Sequence, residues 1–144
     1  MTILAYSGGL DTSAIIPWLI ENYDTEVIAY CCDLGSQPEA ERMQRNSLAY
    51  GAKEFVFEDL KEVFCTDYVF PMLRSGAKYQ EDYLLGTAIA RPLISERIAH
   101  CAQKHGAQYI CHGATGKGND HIRFEKSWAY LVPEVEIIAP WKTW

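Results

Sequence analysis

The chain has 144 residues, of which 49% are hydrophobic and 22% charged, and its formal net charge is −6 with a pI of about 5.2. This composition is typical of a single globular domain with a buried core, and the acidic balance argues against nonspecific binding to nucleic acid. No apolar stretch approaches the roughly 20 residues that a membrane helix needs, and the N-terminus does not resemble a signal peptide. We therefore expect a cytoplasmic protein without nucleic-acid or membrane partners.

The chain begins with a short apolar run, residues 3–5, which predicts a buried strand. The residues from 5 to 13 read A-Y-S-G-G-L-D-T-S, and the two glycines, Gly8 and Gly9, suit a tight turn with close backbone approach. Three residues that can accept hydrogen bonds from the first turn of a helix follow: Asp11, Thr12 and Ser13. A helix N-terminus behind a glycine turn gathers N–H donors and a positive dipole end, which predicts an anion site.

Strand and helix patterns alternate through the rest of the chain. Further strands are expected at 26–31, 54–58, 109–112 and 135–139, and helices at 39–50, 60–73 and 88–104. Residues 76–86 look like a loop. We expect Pro17 to kink the first helix, Pro71 to break the third and Pro92 to mark the first turn of the fourth. This alternation predicts one α/β domain over residues 1–144, with a parallel five-stranded Rossmann-like sheet and helices on both faces.

The five cysteines include no C-x-x-C pair, so we expect reduced thiols and no disulfide. Three of them lie in apolar surroundings and are expected to be buried: Cys65, Cys101 and Cys111. The four histidines have no metal-ligand spacing with the cysteines, so no metal site built from protein side chains is expected.

A second polar loop, H-G-A-T-G-K-G-N-D, spans residues 112–120 and directly follows the fourth predicted strand. Ligands of such folds bind at the carboxyl ends of the strands, so this loop, the glycine turn and the end of the second strand should converge. Lys117 offers a cation for phosphate, and Arg123, one helical turn after Asp120, can bind a carboxylate with its guanidinium fork. By itself the loop would equally fit a solvated surface loop.

A third region, residues 79–91, carries a weak signal. Tyr83 and Thr87 could form a pair on one helix face, and Arg91 is interpreted as an ordinary surface charge. The chain has no dinucleotide fingerprint, because the pattern G-x-G-x-x-G does not occur. It has no Walker A loop either, because Gly118, and not serine or threonine, follows Gly116 and Lys117.

These motifs together carry a resemblance to a known family. The glycine turn resembles the pyrophosphate-binding loop of the N-type ATP pyrophosphatases, which have an adenine nucleotide α-hydrolase-like fold. The turn, Y-L-L-G-T-A-I-A-R-P-L-I at 83–94, H-G-A-T-G-K-G-N-D-H-I-R-F-E at 112–125 and I-I-A-P-W-K-T-W at 137–144 together resemble the argininosuccinate synthases. The resemblance covers the chain from end to end.

The resemblance implies an ATP-dependent carbon–nitrogen ligase of arginine biosynthesis and the urea cycle. Members condense citrulline with aspartate through citrullyl-AMP, with Mg²⁺ on the ATP, and release AMP and pyrophosphate. The implied ATP contacts are Ala5, Tyr6, Ser7, Gly8, Gly9, Leu10, Asp11, Thr12, Ser13, Cys32 and Gly113, together with Lys117. The expected contacts for the amino-acid substrates are Tyr83, Thr87, Thr115, Asn119, Asp120 and Arg123. No general base and no protein metal ligand is assigned.

Two residues depart from the family pattern: Ala88 replaces a serine that touches citrulline in many members, and Ser36 looks inserted. Family members are about three times longer, form homotetramers and have a second domain that is absent here. We therefore expect these residues alone to bind ATP but to be poorly active, and to expose Trp141 and Trp144. Two alternatives stay open: another adenylating ATP pyrophosphatase, or a non-catalytic ATP-binding module.

Overall fold

The computed structural model describes residues 1–36 and 39–142. It contains one sheet whose strands are all parallel, in the spatial order β3-β2-β1-β4-β5. The strands are β1 (Thr2–Ala5), β2 (Val27–Asp33), β3 (Glu54–Asp59), β4 (Tyr109–His112) and β5 (Glu136–Ile138). The chain leaves β1 toward β2 on one side and later returns to β4 on the other side. The strand order therefore reverses between β1 and β4, which is where such sheets bind ligands.

Helices cover both faces of this sheet, which confirms the predicted α/β architecture. On one face, α1 (Leu10–Tyr23) and α2 (Ala40–Ala49) contribute Ile15, Ile16, Leu19 and Met43 to a buried core with Leu4 of β1. On the other face, α5 (Gly86–His105) and α6 (Asp120–Leu131) contribute Ile98, Ala102, Phe124 and Trp128 to a second core with Ile3. Neighbouring β1 residues thus point to opposite cores, as the pleat of a strand requires.

The third predicted helix continues past its proline. Residues after β3 form α3 (Lys61–Val63), a π-helix (Phe64–Val69) and α4 (Phe70–Ser75) without interruption. The expectation that Pro71 breaks this helix is therefore wrong. Proline in an α-helix clashes with the carbonyl four residues earlier, and here that residue, Asp67, lies in the wider π turn. The helix ends only at Gly76, whose φ of 63° lies in the left-handed region.

The interpretation of Pro92 as the first turn of the fourth predicted helix is also wrong. The helix α5 begins at Gly86, so Pro92 lies in its interior. The start is set by Leu85, which has a φ of 61° and accepts a hydrogen bond from the Ile89 N–H at 2.9 Å. Helix α1 likewise continues through Pro17. Packing of both helices against the sheet compensates for the backbone hydrogen bond that each proline removes.

Two expectations about buried side chains need correction. Cys65 is exposed because the π-helix presents no buried residue to the core, whereas Cys101 and Cys111 are buried as expected; all five cysteines are free thiols. Trp141 is only partly exposed and packs against the α1 side of the sheet. Trp144 lies outside the described residues. Within the described ranges, no helix has the length and apolar character needed to cross a bilayer.

Candidate functional site

The carboxyl edge of the sheet encloses a cavity of about 620 Å³, called here the sheet-edge cavity. Its floor comes from the ends of β1, β2 and β4, so the three loops that the sequence predicted to converge do so. Together with Thr12 of α1, the lining residues on these strand ends and the loops after them are Ala5, Tyr6, Ser7, Tyr30, Cys31, Cys32, Leu34, Ser36, His112, Gly113 and Ala114. The far wall comes from the side chains of α5, Phe64 of the π-helix and Phe124 of α6.

The glycine turn between β1 and α1 is braced by two hydroxyl groups. Thr12 Oγ1 accepts from the Ser7 N–H at 3.3 Å, lies 3.1 Å from Ser7 Oγ and reaches the Gly9 carbonyl at 3.3 Å. These bonds hold the turn, whereas the sequence predicted that such hydroxyls would cap the helix. The first helical bond runs from the Ser13 N–H to the Gly9 carbonyl at 3.1 Å. The preceding N–H groups of α1 therefore have no acceptor within the helix and remain able to bind an anion.

The two glycines of this turn meet different demands. Gly8 has a φ of 74°, and a Cβ placed on it would lie 2.8 Å from Met43 Cγ, so the fold itself requires glycine there. Gly9 has a φ of −78°, which any residue adopts, and its Cβ would meet only Ser7 Oγ, at 3.5 Å. The described protein atoms leave room for a side chain at Gly9. The protein atoms around Gly9 therefore give no steric reason for a glycine at this position.

A second cavity of about 780 Å³, called here the outer cavity, lies between the 76–85 loop and the loop after β4. All six residues expected to contact amino-acid substrates line it: Tyr83, Thr87, Thr115, Asn119, Asp120 and Arg123. Three residues line both cavities, namely Thr87, Ala114 and Asp120. The two cavities therefore adjoin, and the side chain of Asp120 lies at their boundary.

Asp120 bridges two arginines at this boundary. Its Oδ2 accepts from Arg91 Nη2 at 2.9 Å and Nε at 3.1 Å, and its Oδ1 accepts from Arg123 Nη1 at 2.7 Å. Burial favours the neutral acid, but the hydrogen bonds and charges of Arg91 and then Arg123 prevail and lower the pKa of Asp120. The predicted Asp120–Arg123 pair is present, although it is more buried than expected and has a third member.

Arg91 is not the ordinary surface charge that the sequence suggested. Its guanidinium lies 5.6 Å from the centroid of the Phe124 ring, only 28% of its side chain is exposed, and it lines the sheet-edge cavity. Sequence reasoning missed this role because Arg91 and Asp120 are far apart in the chain. The signal that could have found it is a helical spacing of four from Thr87, which places both side chains on one face of α5.

The start of the loop after β4 is anchored by a buried histidine. His112 Nδ1 accepts from the Ala114 N–H at 3.1 Å, so the neutral ring carries its proton on Nε2, which lies 3.4 Å from Glu125 Oε1. Burial lowers the pKa of His112, with the bond to Glu125 opposing that shift. Glu125 also accepts from Lys142 Nζ at 2.8 and 3.0 Å. The sequence considered His112 only as a metal ligand and missed this anchoring role.

The remaining residues of the expected ATP set have different environments, and not all of them line the sheet-edge cavity. Leu10 is 85% exposed, whereas the buried Ser13 hydroxyl bonds the Tyr6 hydroxyl at 3.2 Å. Burial raises the pKa of the Cys32 thiol to about 12, so this wall residue is a neutral thiol. Lys117 is exposed and lines neither cavity within the described parts of the chain. Ser36 lines the sheet-edge cavity, while Ala88, one turn into α5, does not.

Two comparisons relate this chain to known proteins. The family model described as arginosuccinate synthase N-terminal HUP domain matches residues 1–144. Proteins named argininosuccinate synthase from Clostridium tetani, Acetivibrio thermocellus and Pelagibacter ubique are 53%, 56% and 54% identical to this chain over 142 residues. Each alignment covers 99% of this chain but only 36%, 35% and 36% of the respective relative. The chain thus spans about a third of the length of these relatives.

Proposed function

This chain belongs to the argininosuccinate synthase family, as its N-terminal HUP domain, and from that premise we propose that it binds ATP at the carboxyl edge of its sheet. In the whole protein this domain would serve an ATP-dependent ligase that condenses citrulline with aspartate. The observation that carries the proposal is the adjoining pair of cavities, one beside a glycine turn and one lined by all six expected substrate residues.

The glycine turn supports the assignment of the triphosphate. The first N–H groups of α1 and the open space at Gly9 suit phosphate oxygens, and the turn is already held in place by Thr12 and Ser7. The proposed ATP contacts are residues 5–13 with Cys32, Gly113 and Lys117. Mg²⁺ would neutralise charge on the leaving pyrophosphate. Among the described residues there is no group of three or more His, Cys, Asp or Glu that could hold a metal ion. Phosphate oxygens and water would therefore be the main ligands of this Mg²⁺.

The outer cavity offers complementary groups for amino acids. The guanidinium of Arg123 suits a carboxylate, and the carboxylate of Asp120 suits an ammonium group. Hydroxyl and amide groups from Tyr83, Thr115 and Asn119 supply further hydrogen bonds. In the proposed reaction, the citrulline ureido oxygen attacks the α-phosphorus, pyrophosphate leaves, and the aspartate amine then displaces AMP. Positioning and stabilisation of charge on the phosphates would supply the rate enhancement, without a side chain acting as general base.

We further propose a cytoplasmic homotetramer for the whole protein. Five free thiols suit a reducing compartment. A net charge of −6 does not suit nucleic acid as a partner. Chemical crosslinking of the protein at its natural length would test the tetramer.

The decisive test measures pyrophosphate release by the protein at its natural length, with ATP and with or without citrulline. Release that depends on citrulline would support the synthase, whereas release that depends on another acceptor would favour a different adenylating enzyme. ATP binding with no release under any condition would favour a non-catalytic module.

A variant separates the two cavities in the same assay. Arg123→Ala should remove the citrulline-dependent signal and leave the Kd for ATP within about threefold, because this side chain lines only the outer cavity. Arg45→Ala, on the exposed surface of α2, is the matched control and should retain both properties. If Arg123→Ala folds but loses ATP affinity, the assignment of Arg123 to the amino-acid substrates is wrong.

A further inference from the structure

We infer that Arg91 is a positioning residue that couples the two cavities. Without ligands, the Arg91 guanidinium binds the carboxylate of Asp120. An anionic ligand in the sheet-edge cavity draws this guanidinium away from Asp120. The released carboxylate then accepts a hydrogen bond from the ammonium group of an amino acid in the outer cavity. This inference rests on the proposed function.

Three charged side chains lie where the two cavities adjoin. Arg91 lines the sheet-edge cavity, Arg123 lines the outer cavity and Asp120 lines both. Arg91 directs two N–H groups at one oxygen of Asp120, at 2.9 and 3.1 Å, while Arg123 binds the other oxygen at 2.7 Å. Both oxygens of Asp120 are therefore engaged by cations before any ligand arrives.

The net charge of these three side chains opposes binding of an ammonium group. The group formed by Arg91, Asp120 and Arg123 carries a formal charge of +1, so it repels an ammonium group. Because the three side chains are only 28–30% exposed, solvent screens this repulsion less than it would on an open surface. A phosphate that takes over Arg91 leaves Asp120 and Arg123 as a neutral pair with one carboxylate oxygen available. Binding of the anion should therefore strengthen binding of the ammonium group.

The surroundings of Arg91 suit such an exchange. Its guanidinium lies over Phe124, which stacks on Trp128 with ring centroids 5.1 Å apart and on His112 at 5.7 Å. The aromatic face can support the flat guanidinium while its N–H groups change partners. A lysine would retain the charge, but it lacks the planar fork that directs two N–H groups at one oxygen.

Coupling between the sites can be measured without turnover. In the protein at its natural length, calorimetry gives the Kd for L-aspartate with and without saturating α,β-methylene ATP, an analogue that cannot release pyrophosphate. Coupling free energies between sites usually correspond to about 5–150-fold, so we expect the analogue to tighten aspartate binding at least about fivefold. The ratio of the Kd for aspartate without the analogue to the Kd with the analogue should fall to about 1 in Arg91→Lys and in Arg91→Gln. In Arg91→Gln, aspartate should also bind more tightly than in the parent protein when no analogue is present.

Arg97→Lys is the matched control. Arg97 lies on the same helix and directs Nε and Nη2 at one oxygen of Glu58, at 2.8 and 2.7 Å, but it lines neither cavity among the described residues. Its substitution should leave the ratio unchanged. A ratio near 1 in the parent protein, a retained ratio in Arg91→Lys or a lost ratio in Arg97→Lys would each overturn the inference while leaving ATP binding intact. Failure of the parent protein to bind the analogue would overturn the proposed function as well.

Discussion

The turn after β1 and the loop after β4 lie at the same edge of the sheet, but they are held in different ways. The first is braced from within, by Thr12 bonded to Ser7 and by the left-handed backbone of Gly8. The second, residues 113–119, is fixed near its ends by His112 and by the residues around Asp120, while positions 115–119 are exposed. The first loop is thus built by its own residues, and the second by partners from elsewhere in the chain.

This difference makes the first loop a preformed part of the proposed site and the second loop an adjustable part. Internal bonds keep the N–H groups of the first turn in position before a ligand binds, which reduces the entropy lost on binding. The second loop depends on side chains from α5, α6 and the 3₁₀ turn Pro140–Lys142, so a ligand that moves those side chains can also move the loop. Each prediction below perturbs one of the two loops.

The largest effect is expected from Gly8→Ala. The new side chain must adopt a φ near 74° and lies 2.8 Å from Met43 Cγ, so we expect the free energy of unfolding to fall by roughly 1–3 kcal/mol. Urea denaturation measures this change. Gly76→Ala is the control, because its φ of 63° gives the same backbone strain with no described atom within 4 Å of the new Cβ. Equal losses in both variants would show that Met43 adapts and that the turn is less rigid than described.

The next effect is expected from Gly9→Val, and it concerns binding. With a φ of −78° and no close contact, the substitution should leave the free energy of unfolding nearly unchanged. The added side chain would occupy space that the phosphates need, so ATP affinity should fall by about tenfold or more. Calorimetry with Mg-ATP tests this, and Gly9→Ala should give a smaller loss. Unchanged ATP affinity in Gly9→Val would show that the phosphates do not bind at this turn.

The sequence predicted the fold well because its signals are local. Each strand has an apolar run, and the alternation with helices determines a parallel sheet; β4 has the predicted bounds, Tyr109–His112. The errors at Pro71 and Pro92 share a cause, since local propensity penalises proline in a helix whereas tertiary packing retains it. No local pattern indicated the π turn that accommodates Pro71.

The same contrast between local signals and tertiary packing applies to the residues of the candidate site. The residues of the glycine turn follow one another in the chain. The six expected substrate residues, five of them implied by the resemblance, line one cavity. The contact of Arg91 with Asp120 spans 29 positions and that of Lys142 with Glu125 spans 17. Such pairs depend on how α5, α6 and the 3₁₀ turn pack, which the periodicity of a single sequence does not specify.

A pH titration tests the anchor of the second loop. Burial lowers the pKa of His112 below its ordinary value of 6.5, so the unfolded chain takes up this proton more readily than the folded one. The contribution of neutral His112 to the free energy of unfolding is complete above the pKa that this side chain has in the unfolded chain. It is lost as the pH falls below that value toward the lower pKa of the folded state. We therefore expect the free energy of unfolding to fall between pH 7.5 and 5.5, and to fall less in His112→Gln.

Three neighbouring groups complete the electrostatic environment of this histidine: Glu125 opposes the shift in the pKa of His112, and the charges of Lys142 and His121 add to it. The exposed His100 provides the control, since His100→Gln should retain the pH dependence of the parent protein. An unchanged pH dependence in His112→Gln would mean that this ring does not anchor the loop through its neutral form.

The smallest effect is expected from Lys142→Met. Lys142 and Glu125 are about a third exposed, at 35% and 29%, and pairs of this kind contribute about 0–1 kcal/mol to stability. Loss of the pair should therefore scarcely change the free energy of unfolding. However, Lys142 Cγ would lie 3.6 Å from a Cβ on Gly116, so its side chain also borders the loop after β4. We expect a higher Kd for aspartate in Lys142→Met and a smaller change in the Kd for ATP, because most of the proposed ATP contacts lie in the turn after β1, which is held by its own bonds. An equal loss of affinity for both ligands would contradict this difference between the two loops.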